Sequence, residues 1–80
     1  CALSSAHGLT AHDLSEVAIK QAAIDSARRV VAATDSAKFT RTAFGAVCPI
    51  DRLDVVVTDE GIPKEEHEAL TDADVSVHVV

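Results

Sequence analysis

Two short apolar runs constrain this chain more than any other feature. The first, Val30-Val31-Ala32-Ala33-Thr34, lies beside a helical pattern, and a run of that length in that setting reads as a buried parallel strand. The second extends from Leu53 to Thr58. Val55-Val56-Val57 is continuous at its centre, so both faces of that strand should be covered. An acid and a base follow the first run at once, in Asp35-Ser36-Ala37-Lys38. Open α/β sheets bind ligands in the crevice outside the carboxyl ends of their strands. A carboxylate and an ammonium at that spot can grip a hydroxylated, phosphorylated small molecule.

The other elements alternate with these strands. Residues 1–12 read as a strand remnant and a loop, punctuated by Ser4-Ser5 and Gly8. Asp13 as N-cap with Glu16 three residues on makes a capping box and opens a helix from about Leu14 to Arg28. At about 100° per residue, Gln21, Asp25, Arg28 and Arg29 fall on its wet arc, and Ile19, Ala23, Ile24 and Ala27 on its inner arc. Glu16 and Lys20 share that inner arc, where a charge is costly unless it is paired or faces a polar cavity. Residues 36–46 read as a loop with room for a helical turn, and Pro49 with Asp51 marks a further turn. Asp59-Glu60-Gly61 turns the chain again, and Pro63 fits the first turn of a helix from Lys64 to about Asp72. Val75, Val77 and Val79 alternate with Ser76 and His78 in a last strand, nearer an edge. This order predicts an α/β fold: a mostly parallel, three- to four-stranded sheet with two helices and right-handed crossovers. Two helices cannot cover both faces of such a sheet. The missing cover is expected from chain absent here or from a second copy, so a homo-oligomer is expected.

With 80 residues the chain is one domain at most. Its apolar content is mostly alanine and valine, with Phe39 and Phe44 the only aromatics, which suits tight helix-on-sheet packing. Cys1 in place of Met, with no methionine anywhere, leads us to expect a piece cut from a longer protein. The net charge of −6 and the scatter of Arg28, Arg29, Arg41 and Arg52 exclude a basic nucleic-acid footprint within these residues. No charged segment precedes an apolar one as in a secretory signal, and the apolar runs fall far short of a membrane span. Cys1 and Cys48 make no Cys-x-x-Cys pair, which points to a reducing cytoplasm, with Cys48 a small buried apolar residue.

Lys38 is the leading candidate for a ligand contact, a cation at the sheet's carboxyl edge; the competing reading is a solvated loop lysine. Asp35 orients Lys38 or a ligand hydroxyl, or else bonds nearby backbone amides as a turn residue. Glu16 and Lys20 stand i, i+4 in the favourable orientation. They line a pocket, or they serve as capping box and surface ion pair. Asp59 follows the second strand as Asp35 follows the first, and either faces the same crevice or forms a turn with Gly61. His7, beside Gly8, reads as an exposed loop histidine more readily than as a ligand contact. The four histidines lack metal-ligand spacing, no serine sits in a Gly-x-Ser-x-Gly elbow, and no glycine-rich phosphate loop exists. No metal, cofactor or catalytic residue is expected.

Taken in order, Gly8-Leu9-Thr10, Glu16 with Lys20, Asp35-Ser36-Ala37-Lys38-Phe39 and Val57-Thr58-Asp59-Glu60-Gly61 form a pattern that resembles the C-terminal part of DeoR-type bacterial transcription regulators. Glu68-Ala69-Leu70 through Val75-Ser76-Val77 is similar to the family's last helix and strand. The resemblance covers nearly the whole chain. It implies an effector-sensing domain similar in fold to ribose-5-phosphate isomerase, glucosamine-6-phosphate deaminase and the CoA-transferases. The ligand implied is a phosphorylated sugar or related metabolite, and Lys38 matches the lysine that contacts the sugar phosphate ligand in the isomerase relatives. Lys20 lies about where those isomerases place a catalytic glutamate, so sugar isomerisation looks lost. Operator DNA would be bound only through an N-terminal winged helix-turn-helix, absent here along with the first half of the sensor. Thr40 and Asp74 stand where the family often has glycine. The expected function is effector binding, with Lys38, Asp35, Lys20 and Glu16 lining the site in a cytoplasmic regulator. The alternative is a sugar-phosphate isomerase or deaminase of the same fold, with Glu16 or Asp59 as base.

Overall fold

The computed structural model describes residues 2–40 and 45–80; Cys1 and residues 41–44, Arg41 and Phe44 among them, lie outside the described residues. Two three-stranded sheets share one core. Strands β1 (Ala2–Ser4), β2 (Gly8–Ala11) and β4 (Gly45–Cys48) form an antiparallel sheet in the order β1-β2-β4. Strands β3 (Val31–Ala33), β5 (Val55–Thr58) and β6 (Ser76–Val79) form a parallel sheet in the order β3-β5-β6. Helix α1 (Leu14–Ser26) links β2 to β3, and α2 (Lys64–Asp72) links β5 to β6. Short 3-10 helices span Ser36–Thr40 and Ile50–Arg52.

The expected parallel strands are present, with β6 at an edge, but they make only half of the sheet structure among the described residues. The single, mostly parallel sheet is therefore corrected. Residues read as a remnant and a loop pair with a strand about 35 residues further along, a partnership that local periodicity does not reveal. Ser, Gly and Ala are weak strand formers and make up much of these short segments, so they carry little strand signal of their own. Gly8 opens β2 at φ 70, and a Cβ there would strike the Cys48 carbonyl oxygen. Only glycine adopts that conformation in that space at no cost.

Side chains from both sheets and both helices meet in the core. Leu3, Val56 and Leu70 are fully buried, with Phe39, Val47, Leu53 and Val75 around them. β5 is the central parallel strand and the most enclosed, with Val55 and Val56 both buried. β3 is an edge strand, and Val31 is 55% exposed, so the first apolar run is not the buried strand its composition suggests. Asp54 precedes β5 and holds the start of β3: its Oδ2 accepts from Val30 N at 2.7 Å, while Asp54 N donates to Val30 O at 2.9 Å.

Asp13 caps α1 as predicted, its Oδ1 accepting from Ser15 N at 2.9 Å and from Ser15 Oγ at 2.7 Å. The capping box is half used, because Glu16 turns to Lys20 instead. The helix ends at Ser26, two residues early. It buries only Val17 and Ile24, against the antiparallel sheet. Ile19, Ala23 and Ala27, assigned to the inner arc, are exposed. Gln21, assigned to the wet arc, donates to Ala46 O and Val47 O, each at 3.3 Å. The helix is apolar on nearly every side, so its periodicity does not select the packed face. Asp25 stays outward and meets Arg52 at 3.5 Å.

α2 follows its predicted span, with Pro63 one position earlier, at the N-cap. It ends in a Schellman motif, with Val75 N donating to Leu70 O (2.9 Å) and Asp74 N to Thr71 O (3.1 Å). Asp74, where glycine was noted as frequent, has φ 63. A left-handed L-residue costs about 1–2 kcal/mol, which glycine avoids in part at the expense of chain entropy. Asp74→Gly is therefore expected to raise stability by about 0.5–1 kcal/mol, read as a higher urea midpoint at unchanged m-value.

Candidate functional site

The carboxyl edge of the parallel sheet is built by two loops that one carboxylate ties together. After β3, Thr34 N donates to Val57 O at 2.9 Å, which keeps the chain beside β5 for one more residue. Asp35 then turns it, its Oδ1 accepting from Ala37 N at 3.1 Å and its carbonyl from Lys38 N at 3.1 Å. This is the backbone-bonding turn role weighed for Asp35 from sequence. Phe39 is buried in the core, and its 3-10 helix packs on β1. Lys38 is thereby held half-buried between a fixed turn and an anchored ring. Among the described residues no carboxylate pairs with its ammonium.

Asp59, at the end of β5, closes the edge from the other side. Its Oδ2 accepts from Ser36 N at 3.1 Å and its Oδ1 from Gly61 N at 2.9 Å. The Ser36 hydroxyl, the first of these causes, and both amides hold the Asp59 carboxyl below the usual carboxylate range. A Cβ on Gly61 would strike Ser36 Oγ, so the small residue lets the loops touch. Thr58, just before it, is 2% exposed, and its hydroxyl has no hydrogen-bond partner among the described residues.

Glu16 and Lys20 form a separate pair at 2.6 Å. The hydrogen bond and charge of Lys20 hold the Glu16 carboxyl below its ordinary value. Lys20, 33% exposed in its side chain, lines a cavity of about 240 Å³ between α1 and β3, with Leu3, Leu9, Ile24 and Leu53 among its walls. Lys38 is not on that lining, but Thr34 is, and Asp35 follows it directly. The four predicted residues thus fall in two separate places, the Asp35–Lys38 turn after β3 and the Glu16–Lys20 pair on α1, rather than in one cluster.

A half-buried ammonium without a carboxylate partner can bind an anion, whereas the Lys20 ammonium is partly neutralised by Glu16. Neither Glu16 nor Asp59 is poised as a general base: both are held ionised by donors already in place. Ser36 and Asp59 as a loop clamp were not foreseen. Their signal was an Asp after β3 and another after β5, with a glycine two residues beyond the second. His7 is exposed, and Cys48 is a free buried thiol whose burial pushes its pKa up. Among the described residues no group of His, Cys, Asp and Glu could hold a metal ion, and no helix is long and apolar enough to cross a membrane.

The model of a family described as the DeoR C terminal sensor domain matches residues 1–60. The chain is 32% identical over 79 residues to a putative aga operon transcriptional repressor of Escherichia coli O157:H7, covering 99% of this chain and 29% of that protein. It is 30% identical over 73 residues to the HTH-type transcriptional regulator IolR of Bacillus subtilis (strain 168), covering 91% and 29%. An uncharacterized HTH-type transcriptional regulator of Haemophilus influenzae is 27% identical over 73 residues, covering 91% and 28%. The chain therefore spans less than a third of the length of these relatives.

Two outcomes follow for the edge. Thr58→Val keeps the volume and removes an unpartnered buried hydroxyl, so it should raise stability by about 1 kcal/mol in urea unfolding. Asp13, Glu16 and Asp59 all have carboxyls held lower in the folded chain than when unfolded. Each adds stability above its unfolded value and loses it as the pH falls through its lower folded value. The urea midpoint should drop below about pH 4, and less steeply in Asp59→Asn.

Proposed function

The chain belongs to the DeoR C-terminal sensor domain family, and on that premise we propose that it is the C-terminal part of an effector-binding domain in a transcription regulator. In this reading a winged helix-turn-helix and the first half of the sensor precede it in the full protein. The effector is a phosphorylated sugar or related metabolite, and Lys38 meets its phosphate or a hydroxyl. The observation that carries the reading is the placement of Lys38: a half-buried ammonium, free of carboxylates among the described residues, at the carboxyl edge of a parallel sheet. Asp35 shapes the turn that presents it, and Lys20, paired with Glu16, borders the adjoining cavity.

The ligand would act by its differential affinity for two states of the full regulator, which changes how the helix-turn-helix engages operator DNA. Such a regulator works in the cytoplasm. The exposed Leu14, Ile19 and Val31 support cover from the remaining sensor or a second copy, consistent with a homo-oligomer. A fold shared with ribose-5-phosphate isomerase and its relatives is part of the same proposal. The enzyme alternative is disfavoured, since both candidate bases are engaged by other groups.

Calorimetric titration of the full-length regulator with ribose 5-phosphate and glucosamine 6-phosphate tests this. Lys38→Ala should weaken binding by about tenfold or more, the value of a charge-assisted hydrogen bond. Equal affinity in wild type and variant would remove Lys38 from the site.

A further inference from the structure

We propose that Asp59 is a positioning residue for the effector, acting through the Asp35–Lys38 turn; this rests on the reading that Lys38 contacts the ligand. The carboxylate spans two loops that no strand pairing joins. On one side it accepts from Ser36 N at 3.1 Å and from the Ser36 hydroxyl; on the other it accepts from Gly61 N at 2.9 Å. Ser36 is the second residue of the Asp35–Lys38 turn, so the clamp grips the turn two residues before the ammonium leaves the backbone. Beyond the bonds within the turn, a further restraint on this segment is Phe39, buried one residue after Lys38. Lys38 is thus fixed from both sides, by a polar clamp before it and an apolar anchor behind it.

The clamp depends on a close approach. Gly61 leaves the space that the Ser36 hydroxyl occupies, and a methyl there would push Ser36 away from the carboxylate. The loop after β5 leads directly into α2, whose Glu66 accepts from Ser5 N at 2.8 Å beside β1. β1 in turn packs on the 3-10 helix that carries Lys38. The turn, the β5 loop, α2 and β1 therefore form a closed ring of contacts, with Asp59 as the polar link next to the Lys38 turn and Glu66 as the one at β1. An ion that displaces Lys38 pulls on this ring through one carboxylate. Asp59 itself need not touch the ligand.

A double-mutant cycle in the full-length regulator tests this, with ribose 5-phosphate and glucosamine 6-phosphate as probes and calorimetric affinity as readout. Asp59→Asn replaces the acceptor facing Ser36 with a group of lower charge and should weaken binding by about tenfold; Ser36→Ala removes only the hydroxyl and should weaken it by about threefold. Neither change should weaken binding further once Lys38→Ala is present, because both act through Lys38. Hydrogen exchange of the ligand-free protein should speed up in the peptide holding residues 35–39 in both variants, with the strands unaffected. A loss that persists undiminished in the Lys38→Ala background overturns the proposal, because it reports general damage. A full Lys38→Ala effect beside a neutral Asp59→Asn also overturns it and leaves the proposed function standing. A neutral Lys38→Ala, or no binding of either probe by the wild type, overturns both.

Discussion

The pairing of β3 with β5 holds the site in place, and an aspartate at each end of β5 fixes that pairing. β3 is an edge strand of three residues, Val31–Ala33, with two small alanines and little burial. Such a strand specifies its own register weakly, and a slip of one residue would exchange its faces. Asp54 grips Val30 before it, and Asp59 grips Ser36 after it. The two carboxylates span the strand like brackets, so the turn that presents Lys38 emerges at a defined height above the sheet.

What was legible in the sequence was the material with strong local signals. Val55-Val56-Val57 marked the central strand, Asp13 the start of α1, and Pro63 to Asp72 the span of α2 within one position. The antiparallel sheet was not legible, because β1, β2 and β4 are only three or four residues long and each carries a single large apolar residue, Leu3, Leu9 or Val47, among small or hydroxylated ones. Their pairing joins segments far apart in the chain. The packed face of α1 failed for the opposite reason: alanine and isoleucine surround the helix, and period alone cannot choose among equivalent faces. The backbone at Asp74, with φ 63, lies where glycine is favoured on steric grounds, and Asp leaves no strong local signal of that in the sequence.

The candidate site was legible residue by residue but not as an arrangement. Asp35 and Lys38 follow β3 and Lys20 lines the cavity beside it, yet Glu16 and Lys20 spend their charges on each other. The Asp35–Lys38 turn depends on Ser36 and Asp59 across the gap between loops. Sequence spacing shows which charges exist; which of them are free depends on contacts between distant segments.

The outer margin of β3 bears on how these 80 residues behave by themselves. Among the described residues no strand pairs with that margin, and Val31 is exposed there, so its amides and carbonyls face any similar segment that diffuses past. Neither a proline nor a lysine lies within Val31–Ala33 to discourage that encounter. The repulsion of a net charge of −6 opposes it, and salt screens that repulsion. At three residues β3 is too short to template a fibre, so rising ionic strength should favour weak self-association of the isolated polypeptide rather than filament growth.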